Sequence, residues 1–274
     1  MELVSKNRLI IAILLTIIFT ILLYHSLIVK YINEGFSISH DDIAFYVINM
    51  DKDKERYEKI INYYRKSDLP SNKLIRYPAV IGKEVNIDDW LSSDAIIELN
   101  LIERNGYRTH HHSLSRGGIG CFLSHYNLAK KLVNDNVNSY LVFEDDTRIH
   151  NNTYDKIQKS IENAPVDWDI ILFYTVRAVG RSENEELNRI KSFWGLNCYI
   201  INKKGAKKII SEVNETKIDG QIDSYLSRMI QQDKLKVYAS KTHFVSPNST
   251  DSNIQTILKP RVGIDPFDFK GYKI

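Results

Sequence analysis

Cysteine is almost missing from this 274-residue chain, which has two, Cys121 and Cys198. Two thiols exclude a disulfide scaffold and any four-cysteine zinc module. Both lie in apolar runs and read as free, Cys121 as a small core residue. Proline and glycine are sparse as well, at 6 and 12 residues, which excludes a collagen-like or linker-dominated chain. No segment recurs at a period of about 20–50 residues, so a solenoid is excluded. Neither sign of charge dominates: 37 basic residues face 34 acidic ones, a net of +3, and no basic stripe stands out. Nucleic acid is therefore not expected as a partner. What is present is 43% apolar and 11% aromatic residues, enough for one sizeable core in a catalytic-size domain with accessories.

One long apolar run breaks the even texture. Residues 9–29, LIIAILLTIIFTILLYHSLIV, contain no Asp, Glu, Lys or Arg. At about 1.5 Å per residue the run matches a hydrocarbon core of ~30 Å. A cleaved signal peptide is the alternative, but its apolar core is shorter and ends at a small-residue cleavage site that does not follow here. Lys6 and Arg8 precede the run and Lys30 follows it, which keeps the N-terminus cytoplasmic. The expectation is a single-pass type II membrane protein: cytoplasmic residues 1–8, a signal-anchor over 9–29, a stem over 30–42, a catalytic domain over 43–246 and a tail over 247–274. That domain would face a lumen or the extracytoplasmic side. Acceptor patterns for N-glycosylation at Asn151, Asn214 and Asn248 permit this without requiring it.

Beyond the stem, apolar runs alternate with amphipathic segments. Residues 43–48 (IAFYVI) read as a strand buried on both faces, and a helix follows with Tyr57, Ile60, Ile61 and Tyr64 on one side. Further strands are expected over 74–80, 139–143, 169–174, 197–201 and 236–239. Helices are expected over 117–133, 205–213 and 219–232. The alternation predicts an α/β domain with a mostly parallel sheet flanked by helices. Residues 82–115 look irregular, an excursion over the sheet, and residues 244–274 look like a tail.

The strongest chemical signal is the acidic triplet Glu144-Asp145-Asp146 at the end of the strand SYLVF. Ligands of open α/β sheets bind beyond the carboxyl ends of strands. Three adjacent acids repel one another unless a cation offsets them, and alternate residues at a strand end share a direction. Glu144 and Asp146 are thus candidate ligands for Mn2+ or Mg2+, with a solvated acidic turn as the alternative. The second signal is GGIGCFLSH, residues 117–125, where glycines opening a helix leave N–H groups for phosphate. The spacing matches neither a P-loop nor a dinucleotide fingerprint, and the segment also reads as a tightly packed helix start with a hydrogen-bonded His125. His110-His111-His112 reads as a surface loop, because three consecutive residues cannot converge on one ion.

Taken together, these pieces resemble glycosyltransferase family 25. The matching segments are VINMDKDKER (47–56), RYPAVIGK (76–83), GCFLSHYNLAKKL (120–132), YLVFEDDTR (140–148), WDIILF (168–173), CYIINKKGAKKI (198–209) and QIDSYL (221–226). The resemblance implies a GT-A type domain that moves a sugar, galactose or glucose, from a nucleotide-sugar donor such as a UDP-sugar to a glycan or protein hydroxyl, with inversion. It gives Glu144 and Asp146 the metal, and Asp145, Asn49, Asp51, Arg56 and His125 the donor side. Asp223 falls on the family's late acid as candidate base, with Asp219 as its competitor. Two positions depart from the family pattern: Ile81 stands where an acid often precedes the glycine, and Gly118 where many members have Glu. They keep open a catalytically silent relative serving as a binding or chaperone subunit. A metal-dependent phosphoesterase would want more ligands, and only His243 offers one.

Overall fold

The computed structural model of this chain describes residues 13–26, 42–71, 73–106 and 113–248. It falls into two units, residues 1–39 and 40–274. In the first, residues 13–26 form a helix, α1, whose side chains are exposed throughout, Phe19 at 67%. No described helix is long and apolar enough to cross a membrane, and the expected span over 9–29 falls partly on residues outside the described ones.

The second unit is built from a βα opening. The apolar run Ile43–Asn49 forms β1, buried almost end to end, and α2 (Lys54–Lys66) follows with Glu55 early and Arg65 and Lys66 late, matching the helix dipole. Next come β2 (Leu74–Pro78), two 3-10 turns at Gly82–Glu84 and Ile87–Asp89, and α3 (Ser93–Asn105). The long helix α4 (Arg116–Asn134) leads into β3 (Ser139–Glu144), β4 (Thr147–Ile149) and α5 (Thr153–Glu162). The chain continues through β5 (Ile170–Tyr174), β6 (Arg177–Ser182), β7 (Leu187–Trp194) and β8 (Cys198–Asn202). It closes with α6 (Lys203–Thr216), α7 (Ile222–Gln231), β9 (Val237–Ser240) and β10 (Val245–Pro247).

Eight strands make one sheet in the order β2-β1-β3-β8-β5-β9-β7-β6. Six run one way, as a mostly parallel sheet requires, and β8 and β7 run against them. Helices α4, α6 and α7 pack on this sheet over a core that includes Phe122, Tyr140, Tyr199 and Tyr225.

Four departures from expectation stand out. The stretch taken as an irregular excursion holds α3, capped at Ser92, whose hydroxyl accepts from the Ala95 N–H, and closed by Gly106 at φ 73°. Helix α7 begins at Ile222, so Asp219 lies outside it. The hairpin β6–β7 was not anticipated. Every residue of β6 is exposed, and Leu187, Ile190 and Phe193 of β7 are buried at every third position, the step from Ile190 to Phe193 made by Lys191 bulging out of the register. The supposed tail starts tied down: β10 pairs with β4, and Phe244 is fully buried. Residues 249–274, and the histidine tract at 110–112, lie outside the described residues.

Candidate active site

Strands β1, β2 and β3 finish level with one another: Asn49 sits across from Pro78, and Ile48 across from Glu144. Beyond those carboxyl ends opens a cleft of ≈ 590 Å³, walled by residues 48–52, 79–83, the first turns of α4 and the acidic triplet. This is where an open α/β sheet binds its ligands.

The glycine-rich start of α4 shapes one wall. Ser115 caps the helix, its Oγ accepting from Gly118 N at 3.0 Å. A Cβ on Gly120 would lie 2.4 Å from the Val80 oxygen, and one on Gly82 would lie 1.7 Å from the Arg116 oxygen. The two backbones therefore touch, and no larger residue fits either place. Ser124 fastens the contact: Val80 N donates to its Oγ at 2.8 Å, and the hydroxyl donates to the Gly120 oxygen at 2.7 Å. One turn away, His125 is buried and aims Nε2 at Glu144 Oε1, 3.2 Å off, while Nδ1 meets the Tyr199 hydroxyl at 2.9 Å. Cys121 is half-buried and packs against the core; its Sγ stands 3.9 Å from the same Glu144 oxygen.

The acids divide into two groups. Asn197, just before β8, donates through Nδ2 to Glu144 Oε2 at 3.2 Å and to Asp146 Oδ1 at 2.9 Å, holding both carboxylates to one point. Among the described residues neither has a Lys or Arg in ion-pair contact. Burial, and then the charge of Glu144, push the Asp146 carboxyl up to about 7. Asp145 turns the other way, accepting from Asn49 Nδ2 at 2.7 Å and pairing with Arg56 at 3.1 Å. Burial raises its carboxyl, and these two partners pull it back. Asn49 is fully engaged inside the protein: its Nδ2 also donates to the Asp53 oxygen, and its Oδ1 accepts from Arg76 Nε at 2.8 Å. Asp51 pairs with Arg76 and is otherwise exposed.

The cleft thus brings together Asn49, Asp51, Arg56, His125, Glu144, Asp145 and Asp146. Asp223 is not on its wall. It begins α7, where its carboxylate accepts from Gly195 N at 3.0 Å and Ser224 N at 2.8 Å. Burial raises its carboxyl, the two N–H donors lower it, and the charge of Glu144 raises it further. Asp219 is exposed and paired with Arg228. His243 is exposed and packs edge-on to Tyr174, away from the cleft walls. Trp194 is half-buried.

Several residues escaped the sequence reading. Lys52 and Lys83 add positive charge to the cleft wall, and Arg116 lines it while paired with Glu103 at 2.8 Å. Asn197 and Tyr199 hold Glu144, Asp146 and His125 in place, and Arg76 holds Asn49. Cys121 and His125 were one signal available, four residues apart on a helix and so on one face.

Comparison with known proteins supplies a frame for this geometry. A sequence family described as "Glycosyltransferase family 25 (LPS biosynthesis protein)" matches residues 42–226. "Procollagen galactosyltransferase 2" of Homo sapiens is 28% identical over 199 residues, covering 68% of this chain and 29% of that protein. A "Glycosyltransferase 25 family member" of Anopheles gambiae is 31% identical over 206 residues, covering 72% and 32%. The chain therefore spans about a third of the length of these relatives. A solved structure described as "Crystal structure of GalNAc-T7 with UDP, GalNAc and Mn2+" is 11% identical with a TM-score of 0.46, covering 82% of this chain and 46% of that one.

Proposed function

The chain belongs to glycosyltransferase family 25, and from that premise we propose that it transfers a hexose, galactose or glucose, from a nucleotide sugar to a hydroxyl of a glycan or protein, with inversion. The observation that carries the reading is the acidic turn: two carboxylates gathered on one amide, with no Lys or Arg partner among the described residues, at the mouth of a cleft beyond β1 and β3. The donor set fits a hard divalent cation, since Glu144 and Asp146 offer oxygens and their mutual repulsion is what a cation offsets. These two would hold Mn2+ or Mg2+. When bound, such an ion supplies charge neutralisation for the departing diphosphate.

The chain's own residues do the rest. Lys52 and Lys83 line the cleft with positive charge suited to the diphosphate of a UDP-sugar, beside Arg56 and Arg116, which are paired with Asp145 and Glu103. Asn49 and Arg56 fix Asp145 on the donor side, and His125 braces Glu144. Asp223, whose carboxyl is raised by burial, is the proposed base for the acceptor hydroxyl's proton, a role that requires the acceptor to reach it beyond the cleft wall. Asp219, in its surface ion pair, has no comparable setting. The proposal extends to a GT-A type domain and to a type II anchor over residues 9–29, supported by the apolar side chains exposed along α1.

A silent, binding-only relative is the second reading, favoured by Ile81, which is 42% exposed on the cleft wall where an acid is common. A panel of nucleotide sugars incubated with the full chain, acceptor hydroxyl compounds and Mn2+ separates the two. Release of nucleoside diphosphate from at least one donor is expected. Donor binding without release from any of them would favour the silent reading.

A further inference from the structure

We propose that Cys121, His125 and Glu144 form a second cation site, selective for a soft divalent ion such as Zn2+ or Co2+ and sharing Glu144 with the hard-cation site. The ligand atoms of the three residues lie within 4.8 Å of one another. His125 Nε2 is 3.2 Å, and Cys121 Sγ 3.9 Å, from the same Glu144 oxygen. Tetrahedral ligands at bond lengths of about 2.0–2.3 Å stand roughly 3.3–3.8 Å apart, so only small side-chain rotations are needed. Helix α4 supplies two ligands from adjacent turns of one face and β3 supplies the third. All three residues line the cleft, which leaves a fourth position open to solvent or to a bound molecule.

The surroundings favour this use. His125 Nδ1 meets the Tyr199 hydroxyl at 2.9 Å, and with Nδ1–H donating to that oxygen Nε2 is the nitrogen presented to a metal. Thiol and imidazole donors select Zn2+ and Co2+ over Mn2+ and Mg2+, which prefer oxygen. On coordination the Cys121 S–H bond breaks, its proton passes to water, and an S–metal bond forms. Because the soft ion takes Glu144 Oε1 and draws charge from the carboxylate whose Oε2 faces the hard-cation site, Zn2+ would weaken the hard cation and inhibit the transferase. That last consequence rests on the proposed function; the site itself does not.

Cobalt spectroscopy on the full chain in detergent tests the site without any activity. Wild type should give a near-ultraviolet thiolate-to-cobalt charge-transfer band that saturates at one ion per chain and is displaced by Zn2+. Cys121→Ser should lose the band and bind Zn2+ more than tenfold more weakly, while Cys198→Ser and Asp146→Asn should keep both. No band in wild type, or undiminished Zn2+ affinity in folded Cys121→Ser, would overturn the proposal. In the donor assay Zn2+ should inhibit wild type while Cys121→Ser turns over at the normal rate and resists. Equal inhibition of both would overturn the shared-Glu144 link. Absence of turnover with every donor would count against the transferase reading, and the cobalt band would still decide the site.

Discussion

Asp146 shows how a single residue carries the cost of this site. The folded protein holds its proton from the usual carboxylate value of 3.8 up to about 7, where the unfolded chain has released it, so stability falls as pH rises through that window. Asp146→Asn keeps the shape and the contact with Asn197 without the charge. In chelator at pH 8 it should be more stable than the parent by about 1–2 kcal/mol, and the gain should disappear near pH 4, as read by urea unfolding. A gain of the same size at both pH values would contradict the assignment. Asp223 makes a different prediction. Asp223→Asn should lower kcat by about 10²-fold or more with nucleotide-sugar affinity within a few-fold, while Asp219→Asn leaves kcat near normal. If the Asp219 variant loses turnover and the Asp223 variant does not, the roles are reversed. The acidic triplet was legible because it interrupts an apolar run. Asn197 was not, because a lone amide ahead of a strand has no pattern. It reaches Glu144 only because β8 runs antiparallel to β3, so that Cys198 faces Phe143 and the chain just before it faces the acids.

Among the elements, α4 and the segment after β2 behave as one part. Gly82→Ala would drive a methyl into the Arg116 carbonyl at 1.7 Å and should cost about 2–3 kcal/mol, whereas the nearest atom to a Cβ on Gly118 is 3.5 Å away. Gly118→Ala should therefore be neutral or stabilising by up to about 1 kcal/mol, through helix propensity alone. Thermal unfolding of the pair checks this, and equal losses would contradict it. Asp169, fully buried at the head of β5, ties α6 and β9 to the sheet through Lys208 Nζ at 2.5 Å and Lys236 N at 2.8 Å. Elements buried on both faces were readable from uninterrupted apolar runs, as in β1, β3 and β5. The exposed β6 and the bulged β7 were not, since their residues follow neither a period of 2 nor a buried run.

At the scale of the whole molecule, the parallel run of β2, β1 and β3 brings the β1 end and the acidic turn to one edge beside the α4 helix, around one cleft, and the antiparallel β8 delivers Asn197 to the acids. The order of strands along the sheet was beyond the sequence, because apolar runs give no neighbours; the end of β3 as a site was within it, because strand ends are where open sheets bind. The type II arrangement predicts that, in sealed vesicles, added protease leaves residues 43–246 intact until detergent is supplied; digestion without detergent would refute it. The central claim is that the Glu144–Asp146 turn and this cleft together form a cation-dependent diphosphate site. Calorimetric titration of UDP into the full chain, with and without Mn2+, measures that coupling directly. Mn2+ should tighten UDP binding by at least tenfold in wild type and by no more than about twofold in Asp146→Asn. Equal UDP affinity with and without Mn2+ in wild type, or undiminished coupling in Asp146→Asn, would contradict the account.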